Sequence, residues 1–248
     1  MSEFKDKLIM VTGASSGIGK AVSLRLANLG AKVILVARRK EKLEEVCSLM
    51  NGNGIVYPFD LNDITGIESF IKNITSTHGK LSGIVHCSGI DIIRPLNLLK
   101  YDDIHKIMNI NFYSFVEIVR CFSKNSNHIV PASIVGISSI ASVRGDKGKI
   151  AYCASKAAMD ASVRCMAKEL GKKGIRINSI RPSWVKTDIY YNNMSQISDS
   201  NSNNEFINSH IFGILETSDV ANLIEFLLSE KSSKITGSSI FIDSGCMA

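Results

Sequence analysis

Tyr152 and Lys156 are the residues whose types and spacing point most directly to chemistry. They lie four positions apart at the start of an Ala-rich helical pattern, so their side chains are expected on one helix face. A phenol with a pKa of about 10 is a poor proton donor or acceptor at neutral pH. A neighbouring ammonium is expected to lower that pKa toward the working range. The pair therefore predicts a tyrosine acid/base, although Tyr and Lys also occur at this spacing by chance.

Ser139 lies thirteen residues before Tyr152, at the carboxyl end of a predicted strand. Ligands of open α/β sheets bind in the crevice outside the carboxyl ends of the strands. A serine hydroxyl at that place can hydrogen-bond a substrate oxygen. We therefore expect Ser139 and Tyr152 to share one substrate site.

A glycine-rich turn follows the first predicted strand and has the spacing G-x-x-x-G-x-G. Glycines at a strand-to-helix turn let the backbone approach a pyrophosphate, and the helix N-terminus favours its negative charge. The spacing is not the usual G-x-G-x-x-G, and a tight loop without a ligand is the alternative. Its position favours a dinucleotide site formed by Gly13, Ser15, Ser16, Gly17, Ile18 and Gly19.

The end of the second predicted strand indicates which dinucleotide is bound. Ala37 occupies the position where an acidic residue would hold the ribose of NAD, and Arg38 and Arg39 follow it. Guanidinium groups suit bidentate phosphate contact, so NADP(H) is favoured over NAD(H). The alternative is that both arginines open the next helix on a solvated face. Two further pairs at strand ends are expected beside the cofactor: Asp60-Leu61, where Asp60 could also be a helix cap, and Ser88-Gly89.

Short β-branched runs alternate with amphipathic stretches along the chain, which is typical of βαβ units. This pattern predicts an α/β fold: a single Rossmann-type domain over residues 1–248, with a doubly wound parallel sheet of about seven strands and helices on both faces. The strands are expected at Leu8–Val11, Val33–Val36, Ile55–Phe59, Ile84–Cys87, Ser133–Ile137, Ile175–Ile180 and Ser239–Ile242. The helices are expected near 17–29, 40–50, 63–77, 101–124, 152–171 and 217–229.

Composition excludes several classes of protein. The 248 residues carry a net charge of +6 with dispersed cations, which does not favour a nucleic-acid partner. No apolar stretch is long enough to span a bilayer, and the N-terminus does not resemble a signal peptide, so we expect a cytoplasmic protein without a membrane partner. The six cysteines show no C-x-x-C pair, so neither a metal site nor redox chemistry is expected.

Together with Asn111, the Thr12–Gly19 turn, Ser139, Tyr152 and Lys156 resemble the short-chain dehydrogenase/reductase family in its compact branch. The resemblance runs from Lys7 to about Gly245. It implies hydride transfer between a nicotinamide and a carbinol or carbonyl carbon. It further implies that Tyr152 is the acid/base and that Ser139 orients the carbonyl. Lys156 would hold the ribose hydroxyls and lower the Tyr152 pKa, and Asn111, rather than Asn109, would position a water linked to Lys156.

The resemblance extends to Asn178–Thr187, where Pro182, Val185 and Thr187 would meet the nicotinamide carboxamide. Three positions depart from the family pattern. Cys87-Ser88-Gly89 replaces Asn-Ala-Gly, Ser183 replaces a Gly, and Asp243-Ser244-Gly245 replaces Asp-Gly-Gly. None of them touches the set of Asn111, Ser139, Tyr152 and Lys156.

The resemblance implies a small carbonyl or alcohol as substrate, and two classes of substrate stay open. Resemblance to 3-oxoacyl-carrier-protein reductases implies a carrier-bound thioester, for which Lys172-Lys173 would be a docking site unless the pair is simply solvated. The polar segment Tyr190–His210, within an expected lid at 188–212, instead favours a sugar, polyol or other hydroxylated ketone. A catalytically silent NADP(H) sensor or scaffold is the alternative from another class.

The stretch Ile104–Phe122 is apolar around more of its circumference than one sheet contact would hide. The Tyr152–Leu170 helix carries many small residues that permit close packing. Members of the resembled family pair these two helices across a two-fold axis. We therefore expect a homodimer or homotetramer.

Overall fold

The computed structural model describes residues 3–188, 190–192, 205 and 207–248. Its strands are β1 Leu8–Thr12, β2 Lys32–Ala37, β3 Gly54–Pro58, β4 Leu81–His86, β5 His128–Ile137, β6 Ile175–Pro182 and β7 Ser239–Ile242. Its longer helices are α1 Gly17–Asn28, α2 Lys40–Ser48, α3 Ile67–His78, α4 Tyr101–Met108, α5 Ser114–Phe122, α6 Ile150–Leu170 and α7 Thr217–Leu228.

All neighbouring strands of the sheet are parallel, in the order β3-β2-β1-β4-β5-β6-β7. The strand order reverses between β1 and β4, which makes a crevice at the carboxyl ends of these two strands. The predicted doubly wound parallel sheet of seven strands is confirmed.

Two hydrophobic cores lie on opposite faces of the sheet. On one face, α1, α2 and α7 contribute buried residues such as Leu26, Leu43 and Ile224. On the other face, α3, α5 and α6 contribute residues such as Ile71 and Phe115. Strands buried on both faces explain why their sequences read as continuous apolar runs.

The helix predicted at 101–124 contains an irregularity that the sequence pattern did not indicate. Between α4 and α5, Asn109–Tyr113 forms a π-helical turn with helical dihedral angles on either side. Such turns are frequent at functional sites. Here the turn buries the side chain of Asn111 completely.

The expected lid at 188–212 lies largely outside the described residues. The chain just after it is tied to the segment that follows β6, because Val185 pairs with Leu215 in an isolated parallel bridge. In the described part of the chain, no helix has the length and apolarity needed to cross a membrane.

Candidate active site

A cleft of about 580 Å³ opens at the carboxyl edge of the sheet, at the switch between β1 and β4. Its walls come from the loops after β1, β2, β3 and β4. Every residue of the predicted dinucleotide site up to Gly89 lines it: Gly13, Ser15, Ser16, Gly17, Ile18, Gly19, Arg38, Arg39, Asp60, Leu61, Ser88 and Gly89. Thr187 reaches the same cleft from the loop after β6.

The glycines of the turn after β1 allow close backbone approaches. Gly13 has a φ of +66°, and a Cβ there would lie 3.0 Å from the Ser88 nitrogen. A Cβ on Gly19 would collide with the Gly13 carbonyl oxygen. Gly17, with a φ of +51°, faces the Thr187 side chain. Side chains at these positions would fill the space between the turn and the neighbouring strand ends.

The charges at this cleft suit an anionic ligand. Helix α1 begins at Gly17, and Ser16 before it makes no side-chain capping bond, so the positive helix end faces the cleft. Arg38 and Arg39 are both exposed and line the cleft beside Ala37. A turn shaped for close approach, a helix N-terminus and two guanidinium groups therefore fit an anionic dinucleotide.

A second cleft of about 150 Å³ joins the first. The two share five lining residues: Ile18, Cys87, Gly89, Ile90 and Thr187. Ser139, Tyr152 and Lys156 line the smaller cleft, as do Pro182 and Val185. The predicted catalytic hydroxyls and the predicted cofactor site thus meet at one junction.

Tyr152 lies partly buried at this junction, and Ser139 lines the same small cleft. Burial and the Asp91 carboxylate raise the pKa of the phenol well above its usual value, whereas the nearby Ser139 side chain lowers it. Lys156 was expected to lower this pKa, but burial and Asp91 outweigh it in the folded chain. The adjacent Ser138 points elsewhere, since its hydroxyl donates to the Lys156 carbonyl.

Lys156 is 3% exposed, and its ammonium donates to the Ile137 carbonyl at 2.7 Å. The nitrogen lies 5.6 Å from the centroid of the Tyr152 ring, as the spacing of four predicts. Burial lowers the pKa of Lys156 to about 8, partly opposed by Asp160. Burial of the ammonium beside the phenol therefore costs the folded chain desolvation free energy.

Asn111 does not line either cleft, but it lies directly behind them. Its Oδ1 accepts from the Ile90 N–H at 2.8 Å, and its Nδ2 donates to the Ile90 carbonyl and the Ser155 hydroxyl. A Cβ on Gly89 would touch both Asn111 Oδ1 and Lys156 Nζ, so these two polar groups flank Gly89. Asn109 bonds instead to the Asn62 carbonyl on the other side of the π turn.

Two of the departures from the family pattern have local consequences. Burial raises the pKa of the Cys87 thiol to about 12, so it behaves as a neutral apolar group at the junction. The Ser183 hydroxyl lies 3.0 Å from Nε2 of buried His210. This hydrogen bond joins the segment after β6 to the described end of the expected lid.

Several lining residues were not among the predicted site residues, although Asp188, Tyr190 and Asn192 lie within the expected lid. Phe59, Ile110, Asp188 and Asn192 line the larger cleft, and Asp91, Lys149, Trp184 and Tyr190 line the smaller one. Phe59 and Ile90 each adjoin a predicted pair at a strand end, which is a usable signal. Asp91 and Lys149 had no such signal, because they lie on loops distant in sequence.

The chain is similar in sequence to known proteins over almost its whole length. Residues 13–247 match a family model described as enoyl-(acyl carrier protein) reductase. The chain is 34% identical over 249 residues to an L-xylulose reductase of Caenorhabditis elegans, with 98% of this chain and 96% of that protein covered.

A second relative has a different printed activity. A 3-oxoacyl-[acyl-carrier-protein] reductase of Thermotoga maritima is 31% identical over 242 residues, covering 96% of this chain and 97% of that protein. Among solved structures, a dehydrogenase/reductase of Sinorhizobium meliloti 1021 superposes with a TM-score of 0.90 at 28% identity. That match covers 100% of this chain and 98% of the other.

Proposed function

The chain belongs to the short-chain dehydrogenase/reductase family and is an oxidoreductase of CH–OH and C=O groups; we propose that it uses NADP(H) and Tyr152 to interconvert a ketone and a secondary alcohol. One observation carries the proposal. Ser139, Tyr152 and Lys156 line a small cleft that opens into the glycine-walled cleft suited to a dinucleotide.

Tyr152 is the proton donor in the reducing direction. Its hydroxyl gives a proton to the carbonyl oxygen as the carbonyl carbon receives a hydride, so the C=O group becomes CH–OH. A bound nicotinamide supplies the hydride, or accepts it in the reverse reaction. The Ser139 hydroxyl, which lines the same cleft as Tyr152, donates to the same oxygen and orients the carbonyl.

The phenolate left on Tyr152 needs a nearby cation, because burial and Asp91 disfavour it. Lys156 supplies that cation, since its nitrogen lies 5.6 Å from the centroid of the Tyr152 ring. It would also hold the ribose hydroxyls of the cofactor. Asn111 is a positioning residue: it fixes Ile90 through two hydrogen bonds. By its likeness to the family it would also position a water that links Lys156 to bulk solvent.

Arg38 and Arg39 would contact the 2′-phosphate of NADP(H). No acidic side chain stands at Ala37 to hold a free ribose hydroxyl or to repel that phosphate. Pro182, Val185 and Thr187 would meet the nicotinamide carboxamide, since all three line the smaller cleft. Asp60 and Leu61 would lie at the adenine.

The substrate is a small hydroxylated ketone. The smaller cleft is confined, and the relative named L-xylulose reductase matches nearly the whole chain. A 3-oxoacyl thioester is the second candidate, supported by the Thermotoga relative and by the exposed Lys172 and Lys173. Reduction of an enoyl C=C bond is not proposed, because enoyl reductases of this superfamily place Tyr and Lys seven residues apart.

The test is NADPH oxidation with a panel of hydroxylated ketones and 3-oxoacyl thioesters. Tyr152→Phe should lower turnover by about 10²–10⁴-fold while NADPH binding, followed by nucleotide fluorescence, stays unchanged. Turnover that survives this change contradicts the role of Tyr152. Binding without turnover for every ketone identifies a silent sensor instead.

The assembly we propose is a homodimer or homotetramer. The described face of α4 and α5 exposes Tyr101, Ile104 and Tyr113, and α6 exposes Ala154, Ala157 and Ala161. These surfaces suit helix pairing across a two-fold axis. A light-scattering mass equal to one 27.1 kDa chain would contradict it.

All six cysteines are free thiols, which supports the cytoplasm as the compartment.

A further inference from the structure

A buried ion pair lies beside the proposed acid/base. Lys149 Nζ lies 3.0 Å from Asp91 Oδ2, and the two side chains are only 13% and 4% exposed. Both residues line the smaller cleft with Tyr152. The Lys149 nitrogen is 5.8 Å from the centroid of the Tyr152 ring. The pair is thus within the space that a substrate of Tyr152 would enter.

The backbone around the pair holds it in place. Lys149 immediately precedes α6, and Asp91 lies on the loop after β4. The Arg94 N–H donates to the Gly148 carbonyl at 2.8 Å, which joins the two loops. Gly148 has a φ of +78°, and a Cβ there would lie 3.0 Å from Ile93. The close approach therefore needs a glycine, and it fixes Lys149 opposite Asp91.

Removing two charges from water is costly unless their remaining hydrogen-bonding capacity is used. The Lys149 ammonium has three N–H donors, and its contact with Asp91 takes one of them. A ligand hydroxyl can accept from the ammonium and donate to a carboxylate. An alkyl or acyl chain displaces water from both groups and replaces none of those bonds.

We propose that Asp91 and Lys149 form a hydroxyl-binding subsite that selects ketones with hydroxyl groups next to the carbonyl over their deoxy analogues. The inference rests on the proposed function and deepens it by assigning the residues that determine the substrate class. A site that hydrogen-bonds a substrate hydroxyl rejects an analogue lacking it far more strongly than an apolar pocket rejects an added methylene.

The test compares two substrates with the same five-carbon 2-ketone skeleton, L-xylulose and pentan-2-one. The wild-type protein should favour L-xylulose in kcat/KM by about 100-fold or more. The double variant Asp91→Leu/Lys149→Met removes both charges, and it should lose most of that preference, measured as the ratio of kcat/KM for the two ketones. Lys149→Arg, which preserves the ion pair, should retain the preference.

The matched control neutralises an exposed ion pair of similar length, Lys42 with Glu45 at 2.8 Å, as Lys42→Gln/Glu45→Gln. It should leave the preference unchanged. Thermal unfolding checks that each variant is folded, and an unfolded double variant is replaced by Asp91→Ala/Lys149→Leu, which also removes both hydrogen-bonding groups and for which the same result is expected.

The outcomes separate the subsite from the reaction. Equal losses on both ketones in a folded variant, or a wild-type preference for pentan-2-one, overturn the subsite and leave the proposed function standing. A wild-type protein that reduces 3-oxoacyl thioesters but not L-xylulose also overturns the subsite and leaves the proposed function standing. A wild-type protein that binds NADPH and reduces no carbonyl at all overturns both.

Discussion

Asn111 and Ile90 are joined by two hydrogen bonds in opposite directions. The Ile90 N–H donates to Asn111 Oδ1 at 2.8 Å, and Asn111 Nδ2 donates to the Ile90 carbonyl at 3.0 Å. This arrangement fixes the loop after β4, which lines both clefts through Gly89 and Ile90. The π turn matters because it carries Asn111 to the buried position where both bonds form.

Asn111→Ala should therefore reduce activity without removing any group that contacts the substrate. Loss of both bonds leaves the Ile90 backbone groups unpaired and costs about 1–3 kcal/mol of stability. Displacement of the loop beside Lys156 should lower kcat by about 100-fold. Steady-state kinetics and chemical denaturation measure the two effects.

Asn109→Ala is the matched control, since Asn109 lies on the same turn and bonds Asn62 on its other side. We expect a much smaller change in kcat. Similar losses in both variants would mean that the π turn, and not the contact of Asn111 with Ile90, matters for activity.

The fold followed from the sequence almost completely. Each predicted strand lies within or beside an observed one, and β7 at Ser239–Ile242 matches residue for residue. Parallel strands buried on both faces produce apolar runs that are readable without tertiary information. The π turn at Asn109–Tyr113 escaped prediction, because one extra residue in a helical turn leaves an apolar pattern of this kind helical.

The lining of the two clefts was predictable where a motif and a strand end coincide, as at Gly13 and Ser139. It was not predictable where two loops distant in sequence meet, as at Asp91 and Lys149. Spacing also predicted the proximity of Lys156 to Tyr152 but not the balance of charge around the phenol. That balance depends on burial and on Asp91, which only the folded chain brings there.

Arg38→Asp should shift cofactor preference from NADPH toward NADH. Charge-assisted hydrogen bonds are worth about 1.5–3 kcal/mol, so kcat/KM for NADPH should fall by about 10–100-fold. The new carboxylate can accept from the ribose hydroxyls of NADH, so kcat/KM for NADH should rise. The ratio of the two kcat/KM values is the measurement.

Lys40→Asp provides the control for that ratio, since it makes the same charge change two residues further on, outside the lining of the cleft. It should change the ratio little. An unchanged ratio in Arg38→Asp would place the 2′-phosphate elsewhere.

Lys156→Met should stabilise the cofactor-free protein while abolishing turnover. Burial lowers the pKa of Lys156 from 10.5 to about 8, so folding disfavours its charged form. At pH 7 the wild type bears this cost, and removing the charge should raise the free energy of unfolding by about 2 kcal/mol after the lost bond to Ile137 is offset.

The same shift sets a pH dependence for the wild type. Between about pH 8 and 10.5 the unfolded chain holds the Lys156 proton that the folded chain has released, so this group makes stability rise with pH. Lys156→Met should lose that rise. Denaturant melts at pH 7, 8, 9 and 10 measure it, and a variant that is less stable at pH 7 would contradict the assigned cost of burial.

Asp91→Asn should move the pH profile of alcohol oxidation to lower pH. The base in that direction is the Tyr152 phenolate, and Asp91 raises the pKa of the phenol. Removing the carboxylate stabilises the phenolate, and Lys149, released from its ion pair, acts in the same sense beside Lys156. The acidic limb of kcat against pH should therefore shift downward.

Asp146→Asn is the control, because Asp146 lines the same cleft but pairs with Arg144. If Asp91→Asn does not move the pH profile, or if both changes move it equally, the assignment of Tyr152 as the base under the influence of Asp91 is contradicted.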